Sequence, residues 1–338
     1  MFRGIHFIPH GTKIDFIGKR RIALSMSVLA ILASILSMMT LGFNYGIDFA
    51  GGILLEVKTR GAADLAHMRS SLNGLGLGEV SLQGVGTSND EVMIRVRQQP
   101  GDESVQTAAL NRIKGALGAE MQYRRIEVVG PKVGAELVRD GALALTLSIL
   151  CIGAYLWFQF EWQYGLGGMF ALIHDTVTTL GLFSFFQLEF DLTTVAALLT
   201  IAGYSINDSV VVYDRVRENL RKYRKLPLIE LLNLSTNETL SRTILTVSTV
   251  LLASLAIYFF GGDVLHGFGL AMIWGILIGT YSSIYIGMPV LIYLNLRREP
   301  AETETVAATP EAGDESEATT TTCASGGGCG CSGTRKVP

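Results

Sequence analysis

The chain has 338 residues, is 49% hydrophobic and only 17% charged, and has a mean hydropathy of +0.38 and a formal net charge of −3. That balance excludes an ordinary soluble domain and fits an integral membrane protein with a soluble portion. No basic groove interleaved with aromatics is present, so nucleic acid is not an expected partner; the lipid bilayer is.

Six stretches reach the roughly 20 residues needed to cross a bilayer, at 22–42, 140–158, 166–186, 193–213, 242–260 and 268–295. The first follows Arg3, Lys13, Lys19, Arg20 and Arg21 and is longer than a signal-peptide core of about 7–15 residues, so it reads as a retained anchor. Residues 43–139 form a hydrophilic segment in which apolar runs and turn signals alternate. Strand 52–59, helix 63–75, strands 79–85 and 91–97 joined by a 86–90 turn, helix 102–117 and strand 121–129 give the order β-α-β-β-α-β, the ferredoxin-like split motif. The predicted fold class is therefore a polytopic α-helical membrane protein with six transmembrane helices and one external α+β ferredoxin-like domain between the first two.

Five spans follow in quick succession, with a basic loop expected at 214–241 that carries Arg215, Arg217, Arg221, Lys222, Arg224 and Lys225. The short connections 186–192 and 261–267 contain no Lys or Arg, and Arg297 and Arg298 follow the last span. This bias predicts both termini (residues 1–21 and the tail) on the cytoplasmic side and 43–139 outside. The tail 299–338 lacks an apolar period and reads as disordered. Its Cys323, Cys329 and Cys331 lack a fourth ligand nearby, so incidental thiols are preferred over a metal site, and no metal is expected in the ordered region.

Polar residues inside the spans carry the functional signal, because a charge in hydrocarbon is costly unless it is paired, neutralised or beside a wet path. Asp208 shares a helix face with Ser205 and Val212, with Asn207 and Ser209 beside it. Arg242, Thr246 and Thr249 form a polar stripe on the fifth span, and pairing of Arg242 with Asp208 is feasible by reach. His174 and Asp175 stand near the middle of the third span. Each has a bland alternative: Asp208 as a static hydrogen-bonding group, Arg242 as an interfacial cation, His174–Asp175 as a structural pair. In the last span Ala271, Gly275, Gly279, Ser283 and Gly287 recur at every fourth position and allow close approach of another helix, within this chain or from a partner.

Several segments together resemble the SecF family of bacterial protein-export membrane proteins, over nearly the whole length up to Arg298. They are Asn44-Tyr45-Gly46-Ile47-Asp48-Phe49-Ala50-Gly51-Gly52; Val129 to Leu137, opening Val-Gly-Pro-Lys; Phe160-Glu161-Trp162; His174-Asp175; Gly203 to Asn219, through Asn207-Asp208-Ser209; and Ser241-Arg242-Thr243. Ser209 and Tyr213 stand where Thr and Phe are expected. The resemblance implies a location in the bacterial inner membrane with 43–139 periplasmic, and a homologous partner, SecD, supplying the other six spans of a unit related to the resistance-nodulation-division transporters. It implies work with the SecYEG channel on translocating preproteins, no cofactor, and energy from the proton gradient, with Asp208 and Arg242 associated with proton passage. No nucleotide loop or nucleophile constellation is present, so a transport subunit rather than an enzyme is expected. The alternatives are half of a small-molecule or lipid exporter, or a non-conducting stabilising subunit.

Overall fold

A computed structural model describes residues 13–78, 80–85, 90–101, 103–118, 121–294 and 296. Arg3, Arg297, Arg298, the 86–89 turn and the tail with its three cysteines lie outside the described residues. The first membrane helix, α1 (Arg20–Thr40), is followed by a two-residue strand β1 (Asn44–Tyr45) and a single turn α2 (Ile47–Ala50). Then come β2 (Gly52–Lys58), α3 (Leu65–Asn73), β3 (Val80–Val85), β4 (Glu91–Arg97), α4 (Glu103–Leu117) and β5 (Gln122–Val129).

These strands pair in the order β3-β4-β2-β5, antiparallel throughout, which is the ferredoxin-like arrangement. Alternation places Ile53, Leu55 and Val57 opposite Val96, Ile94 and Val92, all fully buried under α3 and α4 through Met68, Leu72, Ala109 and Ile113. Asp64 caps α3 by accepting from the amides of Ala66 and His67. The sheet begins at a Gly51-Gly52 pair with φ of +71° and +138°. A Cβ on Gly52 would stand 2.5 Å from the Val96 carbonyl oxygen, so only glycine fits where β2 enters beside β4.

Five further membrane helices complete the chain: α5 (Pro131–Gln159), α6 (Trp162–Phe185), α7 (Leu192–Lys222), α8 (Leu228–Phe260) and α9 (Gly262–Ser282). The last continues through a π-helical turn (Ser283–Gly287) into α10 (Met288–Tyr293), so α9 to α10 form one span. A second short strand, β6 (Glu189–Phe190), lies between α6 and α7.

Helices run beyond the apolar stretches in two places. α5 begins at Pro131 rather than near 140, directly after β5, because proline at the first turn is pre-set for a helix. The expected loop 214–241 is mostly helix: α7 runs to Lys222, α8 starts at Leu228, and only 223–227 separate them. Charged helix formers carry the rods past the hydrocarbon, which a hydropathy window cannot register, and Pro227 sets the break.

The outer sheet is tied to the bundle at one junction. Strand β1 pairs parallel with β6, Asp48 accepts from the Leu192 amide at 2.9 Å, and Arg95 on the sheet's lower face pairs with Glu189. Phe43, Tyr45, Phe49 and Phe190 cluster around it, with Phe49 stacked on Phe190 at 5.6 Å. A cavity of about 360 Å³ lies beside the junction, between Arg125 and Glu127 of the sheet and Thr193 and His266 of the bundle. On the other side of the membrane, Asn233 and Asn237 of α8 bind the backbone of residues 14–17: Asn237 Oδ1 accepts from the Ile14 amide, and Asn233 Oδ1 from those of Phe16 and Ile17, all at 3.0 Å. Ile17 is thereby buried among Leu156, Tyr213 and Leu231.

Candidate functional site

The polar residues of the spans collect along one seam, and small residues make it possible. The stripe on the last span packs within the chain against α7, in matched steps of four. A Cβ on Gly275 would lie 2.4 Å from Ile201, one on Gly279 3.3 Å from Ser205, and one on Gly287 2.7 Å from the Tyr213 hydroxyl. Ser283 completes the row with a 3.0 Å hydroxyl contact to Ser209, and Ala271 is fully buried at its outer end. Two helices with side chains at these positions could not come so close.

Into this seam α6 delivers Asp175, which is 0% exposed. Its Oδ2 accepts from Ser205 Oγ of α7 at 2.7 Å and from Ser282 Oγ at the end of α9 at 2.8 Å, while Oδ1 lies 3.1 Å from His174 Nδ1. One carboxyl thus joins three helices. Thr178 and Thr179, the next turn of α6, donate back to the carbonyls of His174 and Asp175 and are satisfied locally.

Asp208, one turn along α7 from Ser205, is 6% exposed. Its Oδ1 accepts from Thr243 Oγ1 of α8 at 2.8 Å, and its Oδ2 has no hydrogen-bond partner among the described residues. An Arg242–Asp208 ion pair, feasible by reach, is not among the salt bridges of the described residues. Arg242 is exposed, fourteen residues into α8 rather than at its start, and so are Asn207 and Thr249. Successive helical residues point about 100° apart, so α8 presents Thr243 to Asp208 and turns Arg242 outward. Sequence reasoning missed Ser282 and the donor role of Thr243. The Ser282-Ser283 pair inside the apolar run Gly279 to Gly287, and Thr243 next to Arg242, were the available signals.

Chemically, the seam offers two buried carboxyls held by hydroxyls, a histidine and no fixed cation at hydrogen-bonding distance. Such an arrangement can hold or exchange a proton, whereas a structural ion pair would need its cation in place. Among the described residues no three His, Cys, Asp or Glu side chains come together to bind a metal.

The family model for the C-terminal region of the SecD/SecF protein export membrane proteins matches residues 109–297, and that for the SecD/SecF GG motif matches residues 36–63. The chain belongs to the SecD/SecF family. The GG motif contains the Gly51-Gly52 pair whose positive φ angles admit β2 to the sheet. The chain is 45% identical over 291 residues to the protein translocase subunit SecF of Rickettsia rickettsii, which covers 85% of this chain and 94% of that one. It is 44% identical over 298 residues to SecF of Cereibacter sphaeroides, covering 86% and 92%. Among solved structures it matches SecDF of Thermus thermophilus, described as a translocon-associated membrane protein, with a TM-score of 0.73 and 36% identity over 85% of this chain. The match spans 39% of that longer chain. A second SecDF structure, in a super-membrane-facing form, gives a TM-score of 0.62 at 37% identity. The chain is a multi-pass membrane protein of the Sec protein-transport family, with six apolar helices and the outer α+β domain expected for it.

Proposed function

We propose that the chain is the SecF-type subunit of a two-part export unit. Its SecD counterpart supplies the remaining spans, and the pair uses the proton gradient to help the SecYEG channel complete preprotein translocation. The observation that carries the proton step is Asp208: a buried carboxyl in mid-bundle with one oxygen on Thr243 and the other without a hydrogen-bond partner among the described residues. A group so placed gains and loses a proton at little rearrangement cost, and each proton crossing the membrane carries ~2.3 kcal/mol per 100 mV. Arg242, on the adjoining position of α8 and exposed, supplies the permanent positive charge from the side on which a second bundle would pack.

The same reading puts both termini in the cytoplasm and the sheet domain in the periplasm of the inner membrane. The basic starts of α1 and ends of α7 support it, since residues 14–17 and the start of α8 share one side and the sheet lies on the other. The test uses inverted membrane vesicles. Asp208→Asn and Arg242→Met chains should accumulate and bind their partner normally but lose gradient-stimulated preprotein translocation. Full stimulation by both variants would leave only a scaffold, and transport of a drug or lipid in its place would make this an exporter.

A further inference from the structure

Ser282 has one hydroxyl proton and two acceptors. Asp175 Oδ2 lies at 2.8 Å and the Gly279 carbonyl, one turn back, at 3.1 Å. The residue after it opens a π-helical turn, Ser283–Gly287. That wide turn has a local cause: Pro289 has no amide proton to give the Tyr285 carbonyl and its ring crowds that carbonyl. Turns of this kind are rare and mark places where a helix can be reseated.

We infer that Asp175 and Ser282 form a switch that reads protonation in the seam and sets the seating of the last span at its π turn. This deepens, and rests on, the proton-coupled reading above. The ionised carboxylate holds the Ser282 hydroxyl by a charge-assisted bond and so ties the end of α9 to α6 and, through Ser205, to α7. A proton arriving on Oδ1 faces His174 Nδ1 and removes the charge. The pull on Ser282 then drops by roughly half, and its hydroxyl turns toward the Gly279 carbonyl, which also accepts from Ser283 Oγ at 2.9 Å. The tie between the last span and α6 is then weakened. Nearby stand His174 on α6 itself, Tyr281 of α9, which packs on the His174 ring and whose hydroxyl is committed to the Ala23 carbonyl of α1 at 2.8 Å, and, one turn along α7 from Ser205, Asp208.

The test needs no transport. In the full chain with Cys151, Cys323, Cys329 and Cys331 replaced by serine, spin labels at Arg221→Cys and Tyr293→Cys report the spacing of α7 and the last span in lipid nanodiscs. The expected result is a spacing that differs between acid and alkaline buffer in the parent. Asp175→Asn, neutral at every pH, should show the acid spacing throughout. Ser282→Ala should lose the response as well, and Ser282→Thr should restore it. Ser205→Ala serves as the second variant should Asp175→Asn fail to accumulate. A parent spacing that ignores pH, or a pH response that survives in Asp175→Asn or Ser282→Ala, overturns the inference. Failure of the translocation assay with Asp208→Asn leaves this measurement unaffected, so the two readings fail separately.

Discussion

Thr243 reaches Asp208 and its neighbour Arg242 does not: the threonine hydroxyl donates to Oδ1 at 2.8 Å, while the arginine is exposed on the outer surface of α8. Within this chain the carboxyl of the fourth span is therefore held by a neutral donor.

Removing the donor should accordingly cost more fold stability than removing the cation. Thr243→Val leaves a buried acceptor without its bond and should destabilise by about 1–3 kcal/mol. Arg242→Met, at an exposed position, should stay within about 0.5 kcal/mol. Thermal unfolding of the two purified variants in the same detergent measures the contrast, and equal losses would contradict the placement of these side chains.

The close approach of α7 and the last span makes a paired prediction. Gly275→Val drives a side chain into Ile201 and should cost about 1–3 kcal/mol by overpacking. Ile201→Ala alone leaves a cavity and should cost about 2–5 kcal/mol. Because the two positions touch, the double variant should be more stable than the sum of the single losses by about 0.5–3 kcal/mol. Simple additivity would mean that the stripe packs elsewhere.

At the outer junction the prediction concerns pH. Burial pushes the Glu189 carboxyl up from its ordinary value; Arg95 beside it pulls down but less, and Asp191 and Asp48 add to the rise. A docked junction thus binds a proton more readily than an undocked one, where Glu189 titrates as an ordinary carboxylate. The stabilisation that this proton brings is fully present below the ordinary value and is lost as pH rises through the raised one. Hydrogen exchange of the Gly46 amide, bonded to the Phe190 carbonyl at 2.9 Å, should therefore lose protection across that window after correction for intrinsic rate. Glu189→Gln should flatten the slope, and an unchanged slope in that variant would assign it to another group.

Much of this architecture is legible from residues alone. Alternation in Ile53 to Val57 and Val92 to Val96 marks strands with one buried face, and those strands form the core under α3 and α4. The four-residue step of Gly275, Gly279 and Ser283 marks a helix contact, though not its partner; that it matches Ile201, Ser205 and Ser209 emerges only in three dimensions. Hydropathy locates spans but not helix ends, so the continuation of α7 past Asp214 and the early start of α8 do not show in it. The depth of Arg242 depends on the same point, since α8 starts at Leu228 rather than at the apolar stretch beginning at 242. Rotation was the other unknown. Asp208 was identifiable as costly in hydrocarbon, but choosing between Arg242 and Thr243 as its neighbour requires the azimuth of α8, which depends on packing against α7 and α9.

The length of α7 has a mechanical consequence. At its outer end the chain runs from strand β6, paired with β1, into the Asp191 capping box; Asp208 sits midway; Asn219 bonds to Ser235 and Glu238 at the inner end. Its 31 residues make a rod of ~46 Å, so a tilt of about 5° around one end sweeps the other by ~4 Å. A small adjustment at the inner end of α7 is thereby magnified at the end joined to the sheet domain, with no hinge needed inside that domain itself.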